Sequence, residues 1–153
     1  MNNKQIRSLA LGLVWRGDEL LVFEGYDRVK EETYYRPLGG GIEFGERSHE
    51  ALRREFREEL GVELADVRYL AITENIFVCD GRRGHEIILL YEATLADHAR
   101  YEQETFEMRE ETETLTARWM PLREFQEGGP PLYPDGLLRH LAGPTNGVTG
   151  ALW

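Results

Sequence analysis

The residues best suited to chemistry lie in GGGIEFGERSHEALRREFREELGV, from Gly39 to Val62. Glu55, Glu58 and Glu59 crowd onto one expected helix. Like charges three and four residues apart repel by about 0.2–0.5 kcal/mol per pair, so the crowding needs an offset. On a helical wheel Leu52, Phe56 and Leu60 form an apolar stripe, and the three glutamates fill an arc of about 100° beside it. Glu55 and Glu59 are therefore expected to lose part of their hydration, which disfavours the ionised form and strengthens the repulsion. A divalent cation would reverse both penalties, because Mg²⁺ and Mn²⁺ take carboxylate, carbonyl and water oxygens. The plainer arrangement is a solvated helix on which Arg53, Arg54 and Arg57 neutralise the glutamates. The glycine run ahead of the helix favours the first arrangement. Glycines let a backbone approach closely and expose its amide and carbonyl groups, and such a loop against an acidic helix suits a metal–phosphate cradle.

The spacing is specific. Gly40, five residues, Glu46, seven residues, then Arg54-Glu55-Phe56-Arg57-Glu58-Glu59-Leu60-Gly61-Val62 resembles the Nudix box of the Nudix hydrolases. The order of expected strands and helices over residues 5–142 is similar to that fold. The resemblance implies an α+β protein, a Nudix-type α/β/α sandwich around a mixed curved β-sheet, with residues 1–142 as a single domain. It also implies Mg²⁺-dependent hydrolysis, with Mn²⁺ as a substitute, of the diphosphate linkage in a nucleoside diphosphate derivative. Candidate substrates are nucleoside di- and triphosphates, ADP-ribose, nucleotide sugars and dinucleotides. By the same resemblance Glu55, Glu58, Glu59 and the carbonyl of Gly39 would be metal ligands, and Glu46 and Arg54 would pair to orient loop and helix. Glu113, six residues before Trp119, matches a general base used by some relatives; Glu107, Glu110 and Glu111 are alternatives, as are Glu58 and Glu59 themselves. Two positions depart from the pattern. Phe56 fills a slot usually held by an aliphatic residue, and Arg36-Pro37-Leu38 leads into the glycines where many members have Leu-Pro-Gly-Gly. Two other functions compete: a Nudix-fold nucleotide sensor that does not cleave, and an isoprenoid diphosphate isomerase. The intact glutamates argue against the first. The second requires a catalytic cysteine in the pocket, a role for which Cys79, near a hairpin end, is poorly placed.

Substrate contacts are expected from Arg36, beside the glycine loop, and from Tyr35, Phe77 and His85. Tyr34 and Tyr91 are further stacking candidates, although strand aromatics are more often core. His49 has no partner at the spacing of a zinc site.

These side chains need a frame to hold them. Residues 5–16 and 19–26 read as strands around the turn Gly17-Asp18. Asp27 to Thr33 reads as a charged loop, and residues 34–36 as a short strand ended or bent by Pro37. The glycines at 39–41 read as loop, Ser48 as the N-cap of the box helix and Gly61 as its C-terminal glycine. Strands are expected at 66–79 and 85–95 around the turn 80–84. The polar stretch 96–114 reads as a long loop, followed by a strand at 116–122 and short helices at 122–126 and 134–143. The tail at 143–153 is expected to be flexible, with Trp153 able to dock.

Composition sets the outer limits. A chain of 153 residues with 41% hydrophobic and 30% charged residues fits one globular domain. Its net charge of −10 lacks the basic face that DNA or an anionic membrane requires. It still permits a phosphate substrate if cations intervene. No apolar run approaches the roughly 20 residues of a membrane span, and the N-terminus lacks signal-peptide order, so a cytoplasmic protein is expected. Cys79 is the only cysteine, which excludes an intrachain disulfide. A homodimer formed through the 66–95 hairpin is a further expectation.

Overall fold

The computed structural model describes residues 4–126 and 128–142. The tail expected to be flexible, with Trp153, lies outside them. The elements run β1 (Ile6–Leu13), β2 (Trp15–Arg16), β3 (Glu19–Asp27), β4 (Glu32–Gly41), α1 (Ser48–Leu60), β5 (Leu64–Cys79), β6 (Arg82–Leu95), β7 (Thr105–Glu110), β8 (Glu113–Pro121) and α2 (Leu137–Ala142). Short 3₁₀ turns cover His98–Glu102 and Leu122–Phe125. The strands form one mixed sheet in the order β5-β6-β1-β4-β3-β8-β7, with β2 attached to β3. The β1–β6 pair is parallel, and the other pairs are antiparallel. This is the expected α+β sandwich. No described helix is long and apolar enough to cross a membrane.

Strand β4 is divided between two ladders. Residues 32–37 pair with β3, and residues 38–41 pair with β1. Pro37 sits at the changeover, where its missing N–H and fixed φ suit a change of partner. Beyond it the chain needs glycine. A Cβ on Gly39 would lie 2.0 Å from the Ala10 carbonyl oxygen, and its φ is +148°.

Alternation along the strands separates two cores. On one face Ala10, Leu38, Tyr91, Phe106 and Trp119 pack with Ala51, Leu52 and Phe56 of α1. On the other, Leu9, Leu11, Val22, Ile88 and Leu90 meet Phe125, Leu132 and Leu137. Phe56 is fully buried. A Cβ on Gly12 would come within 3.3 Å of its ring, so Gly12 leaves the room that an aromatic at this position requires.

Helix α1 ends as expected. Gly61 adopts the left-handed conformation at φ 68°, and its N–H donates to the Arg57 carbonyl. Its start differs. Arg47 is the N-cap and offers no side-chain bond, while Ser48 is the first helical residue and its hydroxyl bonds the Tyr91 hydroxyl. Three other expectations are corrected. The glycines at 39–41 belong to β4, because pairing with β1 and the close approach of neighbouring atoms override their low strand propensity. The charged 27–33 stretch shortens to a tight turn, because β3 runs through Asp27 and β4 begins at Glu32. Asp27 Oδ1 accepts the N–H groups of Val29 and Lys30 there. The polar 96–114 stretch contains β7, whose Phe106 and Met108 alternate inward against β8.

Candidate active site

Arg54 is the hub of the site. Its Nε donates to Glu46 Oε2 at 2.8 Å and its Nη2 to Glu46 Oε1 at 3.1 Å, a bidentate pair. The same Nη2 donates to the Gly41 carbonyl at 2.9 Å. Nη1 donates to Glu55 Oε1 at 3.0 Å and Glu58 Oε2 at 3.2 Å. One planar guanidinium thus ties the loop after β4, the end of β4 and the acidic face of α1. Glu46 Oε1 also accepts the Glu43 N–H. The Arg54 hydrogen bond, then that of Glu43, holds the Glu46 carboxyl below the usual glutamate range. Arg54 is correspondingly held in its charged form, first by Glu46.

The glutamates are not equivalent. The Glu55 side chain is 15% exposed and lies on the backbone of β4: a Cβ on Gly40 would fall 2.5 Å from its carboxyl carbon. Glu58 points outward, 61% exposed. Glu59 is intermediate, and its proton affinity is raised well above that of an ordinary glutamate. Burial is the main cause, followed by a hydrogen bond with Glu55 and the charges of Glu55, Glu110 and Glu58. In this arrangement Arg54 balances Glu55 and Glu58, while Glu59 favours its protonated form.

Across from α1, β7 and β8 end in a turn that pairs Glu110 with Glu113. Both residues are exposed in part. Glu110 lies within electrostatic reach of Glu55 and Glu59. Partial desolvation of its carboxyl, then the charge of Glu111, raises its pKa, and Arg36 opposes the rise. Glu113 adds to the field around Glu110. Arg36 donates from Nη2 to Glu86 Oε1 at 2.8 Å, with the Glu86 side chain only 5% exposed. Sequence reading did not single out Glu86 for the site. Residues 36 and 86 lie on strands with no local pattern to join them.

The other expected contacts scatter. Tyr35 is buried in the core away from α1, with its hydroxyl on Glu24 Oε1 and its ring against Phe125. His85 lies at the start of the β1–β6 ladder, with Nε2 3.5 Å from Glu74 Oε2. Phe77 lines a cavity at the tip of the β5–β6 hairpin.

The donor set suits a hard divalent cation: carboxylate oxygens on one helix face, with that of Glu55 pressed against the glycine backbone of β4. Burial and the neighbouring carboxylates of Glu55, Glu110 and Glu58 disfavour the ionised form of Glu59, a penalty that a bound cation would offset. Among the described residues no three acidic, imidazole or thiol groups already converge as a finished cage. Glu58 has solvent space in which to turn inward.

The chain is similar to known proteins. The family model of the NUDIX domain matches residues 6–138. A protein named nucleoside triphosphatase NudI from Salmonella arizonae is 48% identical over 58 residues, 35% of this chain; the match spans only 40% of that relative's length. Among solved structures, a MutT NUDIX hydrolase from Burkholderia pseudomallei superposes with TM-score 0.61 at 19% identity, covering 82% of this chain and 90% of the other. The E. coli ORF135 protein gives TM-score 0.57 at 24% identity, covering 92% and 91%. At these identities the structural likeness is one of fold.

Proposed function

The chain belongs to the NUDIX family, and from that premise we propose that it hydrolyses the diphosphate linkage of a nucleoside diphosphate derivative, using Mg²⁺ or Mn²⁺ at the Glu55–Glu58–Glu59 face of α1. The observation that carries the reading is the carboxylate of Glu55 seated on the Gly40 backbone while Arg54 clamps Glu46, Glu55, Glu58 and the Gly41 carbonyl. A surface helix needs no such fixation of its acidic face.

A bound divalent cation neutralises diphosphate charge and lowers the pKa of an attacking water. The chain's own residues do the rest. Glu55, Glu58, Glu59 and the Gly39 carbonyl would supply the cation's oxygen ligands. The Glu46–Arg54 pair holds helix and loop in register, so those oxygens keep their positions. Arg36 spends one N–H on Glu86 and presents its remaining donors to phosphate oxygens. Glu110 accepts the proton of the attacking water, a role its proximity to Glu55 and Glu59 supports; Glu113 is the alternative on the same turn. The reading includes a cytoplasmic setting and a homodimer, and sedimentation giving only a 17.7 kDa species would remove the dimer.

The test is product analysis by anion-exchange chromatography. Nucleoside di- and triphosphates, ADP-ribose, nucleotide sugars and dinucleotides are each incubated with Mg²⁺ or Mn²⁺ and with EDTA. Triphosphates come first, because the NudI relatives are named for them. Metal-dependent cleavage of one class, abolished in Glu59→Gln, is the expected result. Intact substrates throughout, with folded protein and metal present, would overturn it.

A further inference from the structure

We propose that Glu86, with Asn75 opposite it, is a positioning residue of the reaction: it fixes the guanidinium of Arg36 where phosphate oxygens meet it, and keeps that guanidinium off the glutamates of α1. The proposal rests on the hydrolase reading above, in which Arg36 contacts phosphate. It adds the residues that act through Arg36 and what they prevent.

Glu86 is 3% exposed, and Thr73 and Asn75 are each 4% exposed. Thr73 faces Ile88, and Asn75 faces Glu86, in the β5–β6 ladder. Ile88 and Leu90, on the same side of β6, belong to the apolar core. That face therefore turns polar at the level of Glu86. Directly opposite residues share a face, with Cβ atoms about 4.5–5.5 Å apart, so Asn75 and Glu86 form one buried polar patch. Stability alone gives no reason for the patch. A buried ion pair often stabilises no better than apolar residues of similar volume.

What the patch holds is Arg36. Its Nη2 donates to Glu86 Oε1 at 2.8 Å, and its side chain is 18% exposed. Its backbone is fixed as well, paired with Phe23 of β3 and restricted to extended geometry by Pro37. A long side chain is thus held at both ends. Most of its N–H donors stay free of Glu86, in the planar fork that suits phosphate. Arg36 also lies within electrostatic reach of Glu110, which neighbours Glu55. In a chain of net charge −10, a loose guanidinium would fall onto those carboxylates and compete with a cation for them. Glu86 offers it a carboxylate away from the acidic face of α1.

Asn75 supplies an independent observation. Its Oδ1 is buried and accepts no hydrogen bond among the described residues. Asn75 shares its face with Glu86, which Arg36 binds, so this open acceptor is a second seat for the guanidinium. Arg36 can pass one donor to it as phosphate draws the others outward, without leaving the patch.

The experiment is a double-mutant cycle of Glu86→Gln and Arg36→Ala, read as kcat and KM on the preferred substrate at saturating Mg²⁺. Glu86→Gln keeps the volume and removes the charge. Its KM should rise about tenfold, with kcat within about threefold. In the Arg36→Ala background the same substitution should change KM by less than about twofold, because no guanidinium remains to be held. Adding Asn75→Asp to Glu86→Gln returns a carboxylate to the patch and should recover most of the loss. If Glu86→Gln fails to fold, Glu86→Asp takes its place, with a smaller rise in KM. A second readout needs neither metal nor turnover. In two-dimensional NMR of arginine side chains, Arg36 N–H exchange with water should be roughly tenfold faster in Glu86→Gln than in wild type. Wild-type KM in Glu86→Gln, equal losses with and without Arg36, or unchanged Arg36 exchange would overturn the proposal. Failed recovery by Asn75→Asp would remove Asn75 from it. If no substrate is hydrolysed, the activity falls, and the exchange measurement alone decides whether Glu86 fixes Arg36.

Discussion

Substituting the three consecutive glycines one at a time should produce three different outcomes. In Gly40→Ala the new Cβ would sit 2.5 Å from the Glu55 carboxyl carbon and 2.7 Å from each oxygen, whereas ordinary contact begins near 3.4 Å. The carboxylate must therefore retreat by about 0.9 Å. It sits at the end of a flexible side chain, so the fold can absorb the shift. Gly40 is not among the positive-φ glycines, and replacing such a glycine by alanine contributes about 0.4–1 kcal/mol through the unfolded chain. Stability should thus change by less than about 1 kcal/mol. Activity should not survive as well, because misplacing a catalytic group by about 1 Å can cost 10²-fold. Gly41→Ala meets only Arg7 Nη2 at 3.4 Å and should remain near wild type in both respects. Gly39→Ala drives a Cβ into the Ala10 carbonyl at a φ of +148° and should destabilise the fold by roughly 2–4 kcal/mol. The assays are urea denaturation and kcat/KM on the preferred substrate. A Gly40→Ala enzyme with wild-type kcat/KM, or equal losses in Gly40→Ala and Gly41→Ala, would refute the placement of Glu55.

Other outcomes follow from the same contacts. Folding raises the proton affinity of Glu59, so as pH climbs past the ordinary glutamate range the native state binds more protons than the unfolded chain, and stability falls. In EDTA, wild type should lose stability upward from about pH 4.5 and Glu59→Gln should lose less, the remainder coming from Glu110, whose pKa is raised as well; Mg²⁺ at 100 times its Kd should then restore about 2.7 kcal/mol to wild type and much less to the variant, as read by melting curves. Glu110→Gln should lower kcat by roughly 10²–10⁴-fold while Glu113→Gln stays within a few-fold of wild type; the reverse order would assign the base to Glu113. Phe56→Ala, emptying a fully buried position, should cost about 3–5 kcal/mol in urea unfolding, and a loss below about 1 kcal/mol would refute its place in the core.

What the sequence revealed was mostly local. The extent of α1 was readable from the Leu52–Phe56–Leu60 stripe and the closing Gly61, signals that act within a few residues. The Glu46–Arg54 pairing came from the resemblance, and the structure gives it bidentate geometry. The glycine run misled, because its low strand propensity is overridden by pairing with β1, a partner some thirty residues away. β7 was hidden because only two apolar residues, Phe106 and Met108, alternate within a polar stretch. The Arg36–Glu86 pair joins strands that sequence spacing cannot align. The difference among the three glutamates depends on what packs above each one, so a wheel could place them beside the apolar stripe without separating exposed Glu58 from Glu55.

The division of β4 between two ladders has a consequence for the order of assembly. Helix α1 can form from neighbouring residues, carrying its glutamates with it. The platform beneath Glu55 exists only after Gly39–Gly41 pair with β1. Glu86 stands opposite Arg36 only after β1 and β6 align in parallel, Ile6 against His85. Such distant pairings close slowly, because loop entropy is lost before contacts compensate for it. A collapsed chain that has not joined β1 to β6 therefore owns the helix and its charges but no catalytic surface. On refolding, hydrolysis should return later than the helical circular-dichroism signal.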